Sequence, residues 1–331
     1  MDTKSLPTQL DINGLRGLVL ENSRVRVSVL PDAGAKIWQI TYLPLQADIL
    51  WNNPSIAPAA QPLYTGYDDN WAGGWDELFP NDEACEFRGL QLPDHGELWT
   101  GRWTVQQCDA NAIRMSYLTP LTHFKAQKEV ILHEGAAVVE VRYKLTNDGS
   151  DAFPFLWKLH PAFAVSPDHQ IDFPAMTVVR EPAFAGTLEG APLEFAWPYA
   201  QIGDNTADLR QVPDASSGAV HFFYGTGYTE GWCGVTDRAR KLAAGLKFDP
   251  GVFSSNWLFA THGGWKDLNV AVLEPATGYP FQFQSMIDRG QGSTLQPGES
   301  LETTVLFAMQ EGLNSVGGVE ADGTILPALE G

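Results

Sequence analysis

The chain has 331 residues, 44% of them hydrophobic and 18% charged, which is enough apolar material for a sizeable core and too much for a disordered polymer. With 21 basic and 40 acidic residues the net charge is −19. That balance speaks against nucleic acid or an anionic membrane as partner, since both need a basic surface, and disfavours a polyanionic substrate. Three cysteines, Cys85, Cys108 and Cys233, form no CxxC pair, so neither a disulfide framework nor a zinc knuckle is expected and a reducing compartment fits. The first twenty residues lack the apolar core of a secretory leader, and no apolar run of about 18 residues suggests a membrane helix. A soluble cytoplasmic protein is expected.

Along the chain the dominant period is two. Arg24–Val29 alternates polar and β-branched residues and is followed by a turn signal, Asp32-Ala33-Gly34. The segment from Leu50 to Asp94 is rich in Trp, Pro and Gly and alternates poorly, so it reads as a long irregular excursion. Trp103–Val105, Ile113–Tyr117 and Val139–Leu145 resume the alternation, separated by His133-Glu134-Gly135 and followed by Asn147-Asp148-Gly149, a hairpin candidate. Asp237–Phe248 suits either a short helix or a pair of strands. Phe281–Gln284 alternates like a strand, and Pro297-Gly298 marks another turn. Many short half-buried strands with little helical periodicity predict an all-β protein, a large sandwich or barrel. No linker separates two compositions, so residues 1–331 are taken as one domain, with 311–331 as a peripheral tail.

Four segments could carry chemistry. Trp71 to Asn81 packs Trp71, Trp75, Asp76, Glu77 and Asn81 into one stretch. Indole faces suit the C–H faces of a sugar, and carboxyl and amide groups suit its hydroxyls; a loop tucked onto a sheet by its tryptophans explains the same residues. Asp94-His95-Gly96-Glu97-Leu98-Trp99 follows. On a strand, His95 and Glu97 would share a face. The H-x-E spacing alone does not make a metal site, and no metal is expected. In Trp157-Lys158-Leu159-His160-Pro161, the proline biases His160 to extended backbone at a break in the ladder, a place for a poised acid or base as well as for an ordinary core histidine. Glu274 ends the apolar run Val270–Leu273 and precedes Pro275; a carboxylate there must be paired or functional.

Taken in order, Asp94-His95-Gly96-Glu97-Leu98-Trp99, His160-Pro161-Ala162-Phe163, Leu273-Glu274-Pro275 with Gly278-Tyr279-Pro280, and Leu295–Ser300 leading into Thr303–Met309 resemble the galactose mutarotase-like, or aldose 1-epimerase, family over residues 15 to 310. The resemblance implies a large antiparallel β-supersandwich and an isomerase that interconverts the anomers of a sugar by general acid/base catalysis. No metal and no organic cofactor would be needed, and the partner would be a small carbohydrate, with a homodimer left open. By position it casts His95 as the residue that orients the sugar, His160 as the acid serving the ring oxygen and Glu274 as the base. Trp71, Trp75, Asp76, Glu77, Asn81, Glu97, Trp99 and Lys158 would line the groove. The sequence departs from galactose mutarotases where these carry an Asn-Arg pair before the first histidine: here the chain reads Trp75–Asn81. Asp237 and Asp249 both compete for the family's sugar-binding aspartate. A non-catalytic sugar-binding protein on the same fold, and a hexose-6-phosphate mutarotase using Arg88 and Lys158, are the alternatives.

Overall fold

Alternating apolar and polar residues become antiparallel strands throughout residues 8–184 and 186–328, which this computed structural model describes. The chain forms two compact units. One is Met1–His160 with Thr277–Thr304, the other Pro161–Ala276 with Val305–Gly331.

In the first unit, Thr8–Ile12, Leu15–Glu21, Val25–Leu30 and Lys36–Tyr42 run as an antiparallel meander. Trp75–Leu78 joins it through Ile37 opposite Trp75. A second meander takes Thr104–Cys108, Ala112–Leu118, Phe124–Leu132 and Val138–Asn147. Its period of two aims Phe124, Ala126, Lys128 and Val130 into the core. That parity buries a lysine, and the structure answers with a carboxylate. Lys128 Nζ donates to both oxygens of Glu77, at 2.7 and 2.9 Å, and to the Ala35 carbonyl, while Tyr143, directly opposite Lys128 in the register, donates its hydroxyl to Glu77 Oε1 at 2.6 Å. Burial pushes the Glu77 carboxyl up and the Lys128 ammonium down, and each partner's charge resists the other's shift.

In the second unit, Thr177–Arg180, Ala219–Thr226, Ser255–His262 and Asn269–Ala276 form a meander. His169–Asp172, Trp232–Asp237 and Leu242–Lys247 form another, which continues onto Leu306–Glu311. The ambiguous Asp237–Phe248 segment is therefore the turn and second strand of a hairpin. Leu242 to Leu246 are all buried, on both faces, as a strand covered on both sides requires.

Three expectations need correction. Phe281–Gln284 does not continue as a strand: Phe283–Asp288 is a short α-helix, because Phe283 and Met286, three apart, share the buried face. The Asn147-Asp148-Gly149 turn makes no hairpin with the strand that follows. Phe153–Phe155 pairs with Ser293–Leu295, and the Asn147 amide ties the departing chain to the carbonyls of Asp151 and Leu295. The stretch after Gln310 is not peripheral within its unit. Val316, Val319 and Ile325 are buried, and Val316 and Val319 lie so close to Gly234 and Gly245 that a Cβ at either glycine would meet them within 3 Å.

Candidate functional site

The first unit gathers two histidines around one tyrosine. His95 stands in a tight turn, not on a strand. It has φ +58° and Gly96 has φ +75°, a left-handed pair that only a turn accommodates. The close approach makes Gly96 obligatory, since a Cβ there would lie 2.0 Å from the Phe79 carbonyl oxygen. The turn is pinned from both sides: the His95 N–H donates to the Asp82 carbonyl and the Glu97 N–H to the Phe79 carbonyl. The idea that His95 and Glu97 share a strand face is thereby overturned. Glu97 points into the protein, where its carboxylate accepts from the Leu121 N–H at 2.7 Å and the Thr122 hydroxyl at 2.6 Å. Burial raises its pKa despite those bonds. It holds a loop, as a buried carboxylate must.

His95 is set between two carboxylates. Asp94 Oδ1 lies 2.8 Å from Nδ1, and Asp82 Oδ1 lies 3.7 Å from Nε2. Burial alone would lower the imidazole's pKa, but the charges of Asp82 and Asp94 outweigh it and hold His95 above the ordinary histidine value. The reciprocal effect holds Asp94 below the ordinary carboxylate range, against its own burial. Lys158 Nζ sits 2.6 Å from the same Asp82 oxygen. Asp94 and His95 give this cluster its solvent edge, with side-chain exposures of 31% and 18%.

His160 comes in on the strand Lys158–Phe163, every residue of which is buried. Tyr67 joins it to the rest. The Tyr67 hydroxyl lies 3.2 Å from His160 Nδ1 and donates to Asp76 Oδ2 at 2.9 Å. The same Asp76 oxygen takes Lys36 Nζ at 2.5 Å, and Lys36 also donates to the Gly73 carbonyl. The Tyr67 ring stacks on His95, 4.1 Å between centroids and 11° from parallel, and meets His160 edge-on at 5.5 Å. His160 is held well below the ordinary histidine value, first by burial and then by the positive charges of Lys158, His95 and Lys36. Two histidines in contact with one tyrosine thus have their pKa values pushed in opposite directions, the kind of arrangement that separates a proton donor from a proton acceptor.

Of the groups expected to line a groove, Trp71 lies 5.4 Å from the His160 ring, and Trp99 lies 4.9 Å from Tyr67, its indole N–H donating to the Asp94 carbonyl. Trp71, Trp75 and Trp99 are only 2%, 0% and 5% exposed. Trp71 and Trp99 wall the cluster, Trp75 is core, and none forms an open platform, because an indole loses far more by facing water than it gains. Glu77 is spent on Lys128, and Asn81 spends its amide on the Glu83 and Pro93 carbonyls, anchoring the chain just before Asp94. Tyr67, Lys36, Asp82 and Asp94 were not singled out in the sequence. The one signal available was that Tyr67 and Asp82 lie within the irregular Leu50–Asp94 stretch and that Asp94 adjoins His95.

In the second unit Glu274 is buried on Asn269–Ala276, opposite Trp257. Asp237 caps the turn to Arg240, and Asp249 caps that to Gly251. Among the described residues no group of three or more His, Cys, Asp or Glu could hold a metal ion, and no helix is long and apolar enough to cross a membrane.

Both units are built from large antiparallel sheets, and that architecture has known counterparts. Slr1438 from Synechocystis sp. PCC 6803 superposes with a TM-score of 0.65 at 18% identity, over 92% of this chain and 98% of that one. A galactose mutarotase-like protein from Clostridium acetobutylicum gives 0.67 at 12%, over 92% and 98%. A galactose mutarotase related enzyme from Lactobacillus acidophilus gives 0.65 at 13%, over 89% and 97%. No family model matches the sequence, and no curated protein matches it. The chain has the galactose mutarotase-like fold, an all-β antiparallel architecture, at a sequence distance that marks it as divergent.

Proposed function

We propose that the protein is a mutarotase acting on an unphosphorylated aldose. The observation that carries this reading is the histidine pair on Tyr67, one hydrogen-bonded to its hydroxyl and one stacked on its ring, with their pKa values pushed in opposite directions, on a mutarotase-like fold. Anomer exchange needs one proton taken from the C1 hydroxyl and one delivered to the ring oxygen as the C1–O bond breaks. Rotation about C1–C2 in the open aldehyde and the reverse transfers then close the other anomer. His160, held below the ordinary histidine value, offers a lone pair to a sugar hydroxyl, and His95, held above that value, is the better proton donor to the ring oxygen. On the sequence resemblance Glu274 would be the base that takes the C1 hydroxyl proton. A phosphorylated sugar is disfavoured: Lys158 is committed to Asp82, and Arg88 donates to the Ala152 carbonyl.

The test is polarimetry or NMR exchange between anomers over a panel of aldoses and their 6-phosphates. His160→Asn and Glu274→Gln should each slow exchange by about 10²–10⁴ with sugar affinity nearly kept. The rate should fall on the acid side as His160 protonates, below the ordinary histidine value, and on the alkaline side as His95 loses its proton, above that value. Undiminished activity in His160→Asn refutes the mechanism. Wild-type protein that binds a sugar without exceeding the buffer rate would make it a sugar-binding module.

A further inference from the structure

We infer that Trp71 and Asp76 form a notch for one neutral hydroxyl, occupied by a water in the free protein and by a hydroxyl of the sugar in the complex; the sugar's part in this rests on the mutarotase reading of the same site. Trp71 Nε1 and Asp76 Oδ1 are both cut off from solvent and have no hydrogen-bond partner in the protein. The residues that carry them are 2% and 0% exposed. A buried N–H or carboxylate oxygen left unpaired is costly enough that native proteins supply a partner, from a side chain, an ordered water or a ligand. Both residues line one cavity, which Lys36, Tyr67 and Trp99 also line. Its volume of about 10 Å³ is at the lower limit for one water-sized group. Of its described lining side chains, only these two have a buried polar atom without a partner.

The pair selects what can stand there. An indole N–H only donates, and the carboxylate that Lys36 faces only accepts, so the occupant must accept one hydrogen bond and donate another. A hydroxyl does both with one oxygen. A metal or ammonium cation cannot accept from the N–H, and Lys36, 2.5 Å from Asp76 Oδ2, already gives the carboxylate its positive charge. A phosphate or carboxylate would meet Asp76 as a like charge in a buried place. The notch adjoins the histidine cluster: the Trp71 ring meets His160 edge-on at 5.4 Å, and Tyr67, on the cavity wall, touches both histidines. Exposed Ala59 and half-buried Gln61 also line the cavity and bring it towards the surface. Trp71 thus serves a sugar with the N–H edge of its indole instead of its face.

The experiment joins high-resolution crystal structures of the full chain, free and soaked with the best-binding aldose of the panel, to calorimetric titration of that aldose and of its singly deoxygenated derivatives. In the free protein one water oxygen should stand within about 3.2 Å of both Trp71 Nε1 and Asp76 Oδ1, and in the complex a sugar hydroxyl should replace it. The derivative lacking that hydroxyl should bind about 10–100-fold more weakly than the parent sugar, the range for a lost hydrogen bond to a charged group, and the other derivatives should lose less. Trp71→Phe removes the N–H and keeps an aromatic ring, and should shrink that gap by about 2–10-fold, the range for one neutral hydrogen bond. If this variant does not fold, the wild-type structures and titrations decide by themselves. An empty or ion-filled notch in the free protein overturns the inference, and so does a water that stays there beneath a bound sugar, or a set of derivatives that all bind alike. Binding is read without turnover. A protein that binds sugar in this way but exchanges no anomers would sink the mutarotase reading and leave the notch standing, whereas one that exchanges anomers while tolerating every deoxygenation would sink the notch and leave that reading.

Discussion

Lys36→Met is the most informative single perturbation of the site. Lys36 is 7% exposed and its ion-pair partner Asp76 is fully buried. Methionine nearly matches the lysine stem in volume, so the substitution removes the charge with little cavity. Asp76 then keeps the Tyr67 hydroxyl but no cation, and breaking one side of a buried pair costs about 3–5 kcal/mol. With an unfolding entropy of about 2.1 cal/mol/K per residue, 331 residues give about 0.7 kcal/mol/K, so that loss lowers a concerted melting point by roughly 4–7 °C. Lys36→Met/Asp76→Leu, which removes both charges, should recover most of the loss. The same charge is one of those holding His160 down. In Lys36→Met the His160 pKa should therefore rise, and the acid limb of the anomer-exchange profile should move to higher pH. Urea denaturation measures the first effect, and an NMR titration of His160 the second. A stability loss under about 1 kcal/mol together with an unmoved His160 titration would refute the argument that this pair supports the site.

Two further outcomes follow from the geometry. His221 is held down to about 4 by burial and by the charge of His262. As pH falls, the unfolded chain takes up this proton first. The stability His221 confers is thus whole above pH 6.5 and lost between 6.5 and about 4, an amount on the order of 3 kcal/mol at 1.36 kcal/mol per pH unit. His221→Gln should flatten the fall of the urea midpoint across that window, and parallel slopes would refute the assignment. Gly96→Ala places a methyl against the Phe79 carbonyl at a positive φ. It should cost more than about 2 kcal/mol and displace His95, so a variant with wild-type melting and wild-type His95 shifts would contradict the turn described for it.

Strand placement was legible in the residues because period-two alternation is a local signal, and burying one face of a sheet enforces it. Val25–Val29, Ile113–Tyr117 and Val139–Leu145 all lie in strands for that reason. The same signal misled at Phe281–Gln284, where four alternating residues are too few to outweigh an apolar pair spaced three apart. Of the site, His95 was legible because Gly96 marks unusual backbone beside it, and His160 because a histidine before a proline stands out in an apolar run, although the strand continues through Pro161. Their partners were not. Nothing local distinguishes Lys36, a strand-end lysine, from a solvated one. Nothing local shows that the carboxylate of Glu97 closes a loop or that Glu77 answers Lys128, because these pairings join residues 24 to 51 apart.

Composition, period and turn residues by themselves determined an acidic, all-β chain with a histidine at a glycine turn; the break expected at Pro161 is absent, since the strand Lys158–Phe163 runs through it. Only the tertiary structure decided which buried charge faces which, and with it the opposite directions in which the pKa values of His95 and His160 are pushed. The physical reason is range. Backbone preference acts over a few residues, whereas desolvation and Coulomb interaction depend on what the fold brings within a few ångströms. Tyr67 stands 28 residues before His95 and 93 before His160, yet touches both.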